Sequence, residues 1–180
     1  MAKLVSKTYS EALFEVALEE NKMDLFLDEL SFVLETFEIH EDFYELFKTP
    51  LVKVDEKKEV IEKVFGDKLS KEMNNFLKII IDKRRGHFIE QIKWSYEDMV
   101  NKHKGIVKAV AITAVPLKKE DKMILQNKLS SLTGKTVNLS NEIEESVVGG
   151  ILIKIGDKVI DGTIKSRLEE MKESLSQIIV

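Results

Sequence analysis

One stretch of sequence decides the fold: residues 105–116, which read Gly-Ile-Val-Lys-Ala-Val-Ala-Ile-Thr-Ala-Val-Pro. Its density of valine, isoleucine and alanine is typical of a β-strand, and the proline marks its end. Before it, apolar residues recur at helical spacing; after it, strand-like and helical segments alternate. The sequence therefore predicts a mainly α protein: an N-terminal six-helix bundle, residues 1–104, followed by a small α+β C-terminal domain, residues 105–180.

The first 104 residues are predicted to form one helix after another. Pro50 ends the third helix, because the residue before a proline is pushed out of the helical region. Asp55 is predicted to cap the fourth helix and Ser70 the fifth. The predicted spans are 4–20, 24–38, 41–47, 55–66, a helix that begins after Ser70, and a last one from the basic turn 83–86 to about 104.

Two of these helices carry more apolar surface than one core requires. The first helix has apolar residues on two nearly opposite faces. One face consists of Val5, Tyr9, Ala12, Leu13, Val16 and Ala17. The other consists of Leu4, Phe14 and Leu18. On the fifth helix, Ile79 lies well off the inward stripe that contains Phe76 and Ile80. We therefore expect another element or a partner to cover the surplus surface.

Beyond the deciding strand, the sequence predicts a small mixed domain. Residues 118–132 have helical spacing, and residues 136–141 alternate like a strand. Residues 147–155 and 158–160 predict a hairpin with Gly156-Asp157 in its turn. Thr163 is predicted to cap the closing helix.

The composition excludes several classes of protein. The net charge is −4, whereas a protein that holds nucleic acid by neutralising phosphates normally has a basic excess. The absence of cysteine excludes disulfides and thiolate chemistry. No segment has the roughly 18 uninterrupted apolar residues of a membrane-spanning helix, and the start of the chain lacks the apolar core of a signal peptide. We expect a structured chain inside the cell.

A search for catalytic or metal-binding motifs identifies weak candidates. His40, His87 and His103 are scattered, and none has the spacing of a metal site. Gly134-Lys135-Thr136 resembles the end of a phosphate-binding loop, but Leu129 stands where the motif needs its first glycine. The spacing favours a helix end at Gly134 followed by a turn. No cofactor and no metal are predicted.

Asp157 and Asp161 are the strongest pair of carboxylates for acid/base or metal chemistry. The structural interpretation is simpler: Asp157 belongs to the hairpin turn, and Asp161 precedes the cap of the last helix. A metal-dependent hydrolase that uses this pair stays as a minor alternative.

Several motifs resemble one protein family. The most specific is residues 137–156, with the glycine pair Gly149-Gly150, which continues into Asp161-Gly162-Thr163 and Arg167-Leu168. This pattern is similar to the signature of the ATP synthase delta subunits and their mitochondrial counterpart, the oligomycin-sensitivity-conferring protein. Residues 9–14 resemble the opening helix of that family. Arg84 stands where many members have glycine.

The resemblance implies a non-catalytic stator subunit of an F-type ATP synthase. Such a subunit links the catalytic head to the peripheral stalk and resists torque during proton- or sodium-driven ATP synthesis. In this family, the helical bundle receives the N-terminal helix of an alpha subunit in a groove between its first and fifth helices. These are the two helices with surplus apolar surface. The implied groove residues are Tyr9, Ala12, Leu13, Val16, Phe76, Ile79 and Ile80.

The resemblance also implies a second contact, between the C-terminal domain and the ends of the stalk b subunits. The residues that form either the core of that domain or this contact are Ile151, Ile153, Ile164, Leu168 and Met171. The subunit is expected in one copy per complex at the cytoplasmic face of the bacterial cell membrane, associated with the membrane only through the complex. The main alternative is a helical adaptor with an RNA-binding α+β domain.

Overall fold

The chain forms two compact units, residues 1–100 and 101–180. The computed structural model describes the backbone of residues 2–178 and the side chains of residues 4–172. Over this range six α-helices precede the first strand, which confirms the predicted fold class. The helices are α1 (Ala2–Glu19), α2 (Met23–Ile39), α3 (Glu41–Lys48), α4 (Val54–Phe65), α5 (Lys71–Asp82) and α6 (Ile89–His103), with a 3₁₀ turn, Gly86–Phe88, between the last two.

The first unit packs its helices around a core of aromatic and branched aliphatic side chains. The ring centroid of Phe37 in α2 lies 5.1 Å from those of Phe43 and Tyr44 and 5.0 Å from that of Phe47. Each of the helices α1 to α6 contributes buried apolar residues to the same cluster. Full burial of one such side chain contributes about 1.5–3 kcal/mol, so this shared core holds the bundle together.

Two buried charged side chains connect the ends of helices in this unit. Glu29 accepts hydrogen bonds from the backbone N–H and the hydroxyl of Ser70, at 2.5 and 2.8 Å. The Ser70 hydroxyl in turn accepts from the N–H of Met73 at 3.2 Å, which confirms Ser70 as the cap of α5. Lys57 donates to the carbonyl oxygen of Phe47 at 3.1 Å and so satisfies the end of α3.

The predicted cap of α4 is wrong. Lys53 holds the capping position, and Asp55 lies inside the first turn of the helix. A carboxylate in the first turn still interacts favourably with the positive end of the helix dipole. The acidic residue therefore marks the start of α4 without capping it.

The second unit is a four-stranded sheet with two helices. Its elements are β1 (Ile106–Thr113), α7 (Lys119–Thr133), β2 (Thr136–Ile143), β3 (Leu152–Ile155), β4 (Lys158–Asp161) and α8 (Ile164–Ile178). The strand order is β2-β1-β3-β4; β1 and β2 are parallel and the other pairs are antiparallel. The buried cluster of this unit joins Leu129 of α7 to β1, β2 and β3.

The hairpin starts later than the sequence predicts. Val147 lies in a 3₁₀ turn, and the strand begins only at Leu152. Between them Gly150 has φ +84°, and a Cβ at this position would collide with the carbonyl oxygen of Gly162. The glycine pair of the motif therefore forms a close backbone crossing at the start of α8, and it does not belong to a strand.

Candidate partner-binding groove

The core side of α1 overlaps the predicted stripe only at Leu13 and Ala17. Its buried residues are Ser6, Ser10, Leu13 and Ala17. One flank of this side packs on α6: the Ser10 hydroxyl donates to that of Ser95 at 2.7 Å. On the same flank the ring of Phe14 meets that of Tyr96 edge-on, with 6.1 Å between the centroids. The α6 side of α1 is therefore occupied.

The opposite flank of α1 carries the predicted apolar stripe, and it is open. Val5 and Tyr9 are half-buried, Ala12 is exposed, and Val16 is 38% exposed. These four residues share one face because they are spaced by three or four positions. The described part of the first unit thus leaves an apolar strip along α1 on the side away from α6.

One flank of α5 is held by α4 through two ion pairs. Lys78 of α5 pairs with Glu62 of α4, and Lys58 of α4 pairs with Asp82 at 2.6 Å. The opposite flank carries Glu72, Phe76 and Ile79, of which Phe76 is 8% and Ile79 48% exposed.

Lys22 places the end of α1 beside the start of α5. Its Nζ lies 2.5 Å from Glu20 Oε2 and 3.3 Å from Glu72 Oε1. The hydrogen bond to Glu20 is the main reason that the pKa of Lys22 is raised. The pKa of Glu72 is lowered, first by its own backbone N–H and then by Lys22.

The two open flanks therefore border one groove. The 3₁₀ turn Gly86–Phe88, which follows α5, also contacts α1. The end of α1 therefore lies beside the start of α5, and the segment after the end of α5 also lies against α1. We infer that the two helices run side by side in opposite directions. The apolar strip of α1 and the Phe76–Ile79 flank of α5 form the walls.

The structure divides the seven predicted groove residues into two groups. Leu13, Phe76 and Ile80 are buried in the core, with exposed fractions of 3%, 8% and 0%. Tyr9 is half-buried, and the three accessible residues are Ala12, Val16 and Ile79. The three buried residues belong to the core of the first unit, and the other four lie on the two open flanks.

The described residues of α8 form a second apolar stripe. Ile164, Leu168 and Met171 are 50%, 60% and 62% exposed and lie on one side of the helix. Ile153 is buried in the sheet core, and Ile151 packs half-buried against it. Of the five residues that the sequence assigned to either core or contact, three are therefore accessible.

Asp161 has a structural role. Its Oδ1 accepts from the N–H of Thr163 at 2.8 Å, and its Oδ2 accepts from the Ser166 hydroxyl at 2.6 Å. These bonds lower the pKa of Asp161, with the Ser166 bond the largest cause. Thr163 Oγ1 accepts from the N–H of Ser166, which confirms the predicted cap. Among the described residues, no group of three acidic or histidine side chains is arranged to hold a metal ion.

An acidic cavity of about 390 Å³ between α2, α3 and α6 was not predicted. The Tyr44 hydroxyl donates to Glu90 Oε1 at 2.6 Å, and burial followed by this bond raises the pKa of Tyr44. Lys48 lies 3.8 Å from the centroid of the Tyr44 ring. The cavity joins residues that are distant in sequence, so no local motif indicates it.

The chain combines a helical bundle with a small mixed unit, and each unit has a stripe of exposed apolar side chains. These features are typical of a protein that binds partners. The profile of the ATP synthase delta (OSCP) subunit family matches residues 5–175. The chain belongs to this family. It is 49% identical to the ATP synthase subunit delta of Alkaliphilus oremlandii, over the full length of both chains. It is 38% identical to that of Clostridioides difficile, over 99% of each chain.

Solved structures of ATP synthases contain chains with the same fold. One chain of the Toxoplasma gondii mitochondrial ATP synthase hexamer aligns with a TM-score of 0.72 at 18% identity, over 94% of this chain and 96% of that one. A chain of the Polytomella F-ATP synthase aligns with a TM-score of 0.52 at 25% identity, over 55% of this chain and 88% of that one. The protein is thus a non-catalytic peripheral-stalk subunit of an F-type ATP synthase.

None of the helices described between residues 2 and 178 is long and apolar enough to cross a membrane.

Proposed function

We propose that this subunit clamps the catalytic head of the ATP synthase to its peripheral stalk. The groove between α1 and α5 receives the N-terminal helix of one alpha subunit, and the α8 stripe receives the ends of the b subunits. One copy acts per complex, at the cytoplasmic face of the bacterial membrane. It reaches the membrane only through the complex and resists the torque of the central shaft during proton- or sodium-driven ATP synthesis.

The observation that carries the proposal is the open apolar groove. Ala12 and Val16 on α1 and Ile79 on α5 are accessible, and buried core residues of both helices adjoin them. An amphipathic helix that places its apolar side in such a groove is a common mode of recognition. The groove is bounded by two helices, so it matches the shape of a third.

The proposed stalk contact follows from the same reasoning at the other unit. Ile164, Leu168 and Met171 are spaced at i, i+4 and i+7, so they present one apolar strip. The helical ends of the b subunits can pack against such a strip. The buried cluster of the sheet and α7 forms without these three residues.

A stator contact must outlast many turnovers. Association rates vary less than dissociation rates, so durable contact implies tight binding, of order nanomolar or about 12 kcal/mol. An interface of about 800 Å² per partner reaches this value only with well-packed apolar anchors. The exposed apolar side chains of the groove are such anchors, whereas exposed ion pairs contribute little.

The RNA-binding alternative has no support in the C-terminal unit. Residues 105–180 contain no phenylalanine, tyrosine or tryptophan. Recognition of single-stranded RNA on a sheet normally uses aromatic side chains that stack on the bases.

Calorimetry with the full chain tests the head contact. The titrant is a synthetic peptide of the first 25 or so residues of the alpha subunit from the same ATP synthase, about the length that a marginally stable helix needs. We expect saturable one-to-one binding. Ala12→Asp should weaken it about tenfold or more, because the interface would bury an unpaired charge.

Ser31→Asp is the matched control, since it adds the same charge at an exposed position of α2. It should leave the affinity unchanged. Absence of binding at tens of micromolar, or equal loss in both variants, would contradict the proposed groove.

A further inference from the structure

A bend of only three residues in the second unit is centred on Val148. The backbone N–H of Gly149 donates to the carbonyl oxygen of Val147 at 2.6 Å, which closes the bend. Val148 between them has φ +60° and ψ −48°. These values are close to those of the γ-turn with positive φ, a rare and strained conformation. Residues 147–149 are called the Val148 turn below.

Valine is poorly suited to this conformation. A side chain branched at Cβ crowds the backbone when φ is positive, so a valine there is a steric outlier. The other described residues with positive φ are four glycines, Asn21 and Arg84, none of which is branched at Cβ. Val148 is therefore the most strained of the described residues with positive φ.

The residues on both sides of Val148 hold the turn in place. Val147 is buried, with 8% of its surface exposed. The carbonyl oxygen of Gly149 accepts from the N–H of Ile164 at 3.0 Å, and a Cβ on Gly149 would lie 2.8 Å from Ile164 Cδ1. The chain must therefore reverse its direction within the one residue between Val147 and Gly149, and this fixes the strained backbone.

The side chain of Val148 contributes little packing inside the subunit. It is 75% exposed, and it does not belong to the buried cluster that the described residues of the sheet and α7 form. A glycine would adopt the same backbone without strain. Backbone strain of this kind is concentrated at functional positions. An exposed apolar side chain on a strained backbone therefore indicates a contact outside the chain.

The Val148 turn lies against the first residue of the α8 stripe. Ile164 begins both α8 and the stripe, and it is 50% exposed. Gly149 packs on the Ile164 side chain and has no side chain of its own. The exposed apolar surface of α8 thus continues past the start of the helix to Val148.

We propose that Val148 is an anchor for the end of a b subunit and extends the contact made by the α8 stripe. The apolar side of the bound stalk helix buries the valine side chain and Ile164 together. Because its neighbours already fix the turn, Val148 loses little conformational freedom on binding, which favours a tight contact. This inference rests on the proposed function, because it extends the proposed stalk contact.

Two substitutions at Val148 separate the side chain from the backbone. Val148→Ala removes most of the apolar anchor and keeps a strained backbone, whereas Val148→Gly removes both. The full chain is tested for capture of the soluble stalk fragment of the b subunit from the same ATP synthase. We expect both variants to weaken capture about tenfold, because the lost methyl groups are no longer buried. Val148→Gly should nevertheless unfold at a higher urea concentration than Val148→Ala.

Two further variants control for the loss of apolar surface. Val148→Leu keeps an apolar anchor and should retain capture. Leu132→Ala removes a side chain that is 71% exposed at the end of α7, beside the start of β2, and should have no effect. The Val148 turn follows the other end of β2, which is about 25 Å long. Undiminished capture by Val148→Ala and Val148→Gly, or an equal loss in Leu132→Ala, overturns the anchor.

The failure of the anchor can be told apart from the failure of the proposed stalk contact. If Leu168→Glu abolishes capture but both Val148 variants capture normally, the stalk contact stands and the anchor is wrong. If the unaltered chain does not capture the fragment, the proposed stalk contact fails and the anchor fails with it. A Val148→Gly variant that is no more stable than Val148→Ala contradicts the strain on which the inference depends.

A photocrosslinker gives a direct readout of the contact. The chain has no cysteine, so Val148→Cys provides a unique attachment site for a benzophenone, and Leu132→Cys provides the matched control site. We expect the benzophenone at residue 148 to crosslink to the stalk fragment and the one at residue 132 not to do so. Crosslinking from residue 132 alone, or from neither residue while capture persists, contradicts the anchor.

Discussion

Arg84 is strained at the level of its own backbone. Its φ is +53°, in the left-handed region where a side chain costs about 1 kcal/mol relative to glycine. A glycine, which the family resemblance implies at this position, adopts this conformation without strain. We predict that Arg84→Gly is more stable than Arg84→Ala by about 1 kcal/mol, measured by urea unfolding.

Lys83 is the matched control for this prediction. Its φ is −84°, an ordinary conformation, so glycine brings no relief of strain there. Lys83→Gly should be less stable than Lys83→Ala, because glycine raises the entropy of the unfolded chain. If the glycine variant is more stable than the alanine variant at both positions, or less stable at both, backbone strain at Arg84 does not explain the difference.

Asp161 makes the stability of the second unit depend on pH. Its folded pKa lies below the ordinary value of 3.8, because Ser166 and Thr163 donate hydrogen bonds to the ionised carboxylate. The stabilisation is therefore present above pH 3.8 and is lost as the pH falls through the folded pKa. We predict that Asp161→Asn destabilises this unit at pH 7 and that the difference disappears in strong acid.

Urea unfolding of the full chain, followed by signals of the second unit, measures this difference. Asp157→Asn, in the turn of the same hairpin, controls for the removal of one charge. If Asp161→Asn lowers the free energy of unfolding equally at neutral and acidic pH, the ionised carboxylate does not have the proposed role.

At the scale of elements, the start of α5 depends on a chain of partly buried hydrogen bonds. Glu29 of α2 accepts two hydrogen bonds from Ser70, and Ser70 caps α5 through Met73. Glu29→Ala removes the acceptor of the half-buried N–H and hydroxyl of Ser70. We predict a loss of about 1–3 kcal/mol in the free energy of unfolding.

Glu29→Gln should lose less, because the amide oxygen still accepts one of the two hydrogen bonds. The exposed Glu35 of the same helix is the control, and Glu35→Ala should change stability by no more than about 0.5 kcal/mol. Hydrogen exchange at the first turn of α5 should speed up in Glu29→Ala. Unchanged exchange there would mean that the cap does not depend on Glu29.

At the scale of the whole molecule, the two proposed contacts lie in different units. We predict that Leu168→Glu abolishes capture of a b-subunit stalk fragment and leaves binding of the alpha peptide unchanged. Ala12→Asp should weaken binding of the alpha peptide and leave capture of the stalk fragment unchanged. Both residues are exposed, so neither change should disturb folding by more than about 0.5 kcal/mol.

The double variant separates independent contacts from coupled ones. If the sites are independent, the double variant should bind the peptide as Ala12→Asp does and the stalk fragment as Leu168→Glu does, each within about 0.5 kcal/mol. Calorimetry for the peptide and capture assays for the stalk fragment give the two readouts. A loss of peptide binding in Leu168→Glu would contradict the independence of the two surfaces.

Local signals predicted most elements correctly because they act within a few residues. Ser70 and Thr163 start α5 and α8 as predicted, and Gly134 ends α7 with φ +66°. The error at Asp55 has the same local origin, since an acidic residue is favourable both at the cap and within the first turn of a helix. The start of the hairpin was missed because Gly150 is required by a distant crossing with Gly162.

The order of helices and strands, the fold class and the family motifs were determined by the sequence alone. Periodicity, capping and turn residues act between neighbours, so they can be read without knowing how the chain packs. The face of α1 that lies inward was decided only by the tertiary structure. Ser10 enters the core because it meets Ser95 across 85 positions of sequence, and this rotation leaves Ala12 and Val16 on the surface. The pairing of Lys22 with Glu72 has the same cause, because only tertiary packing brings the start of α5 beside the end of α1.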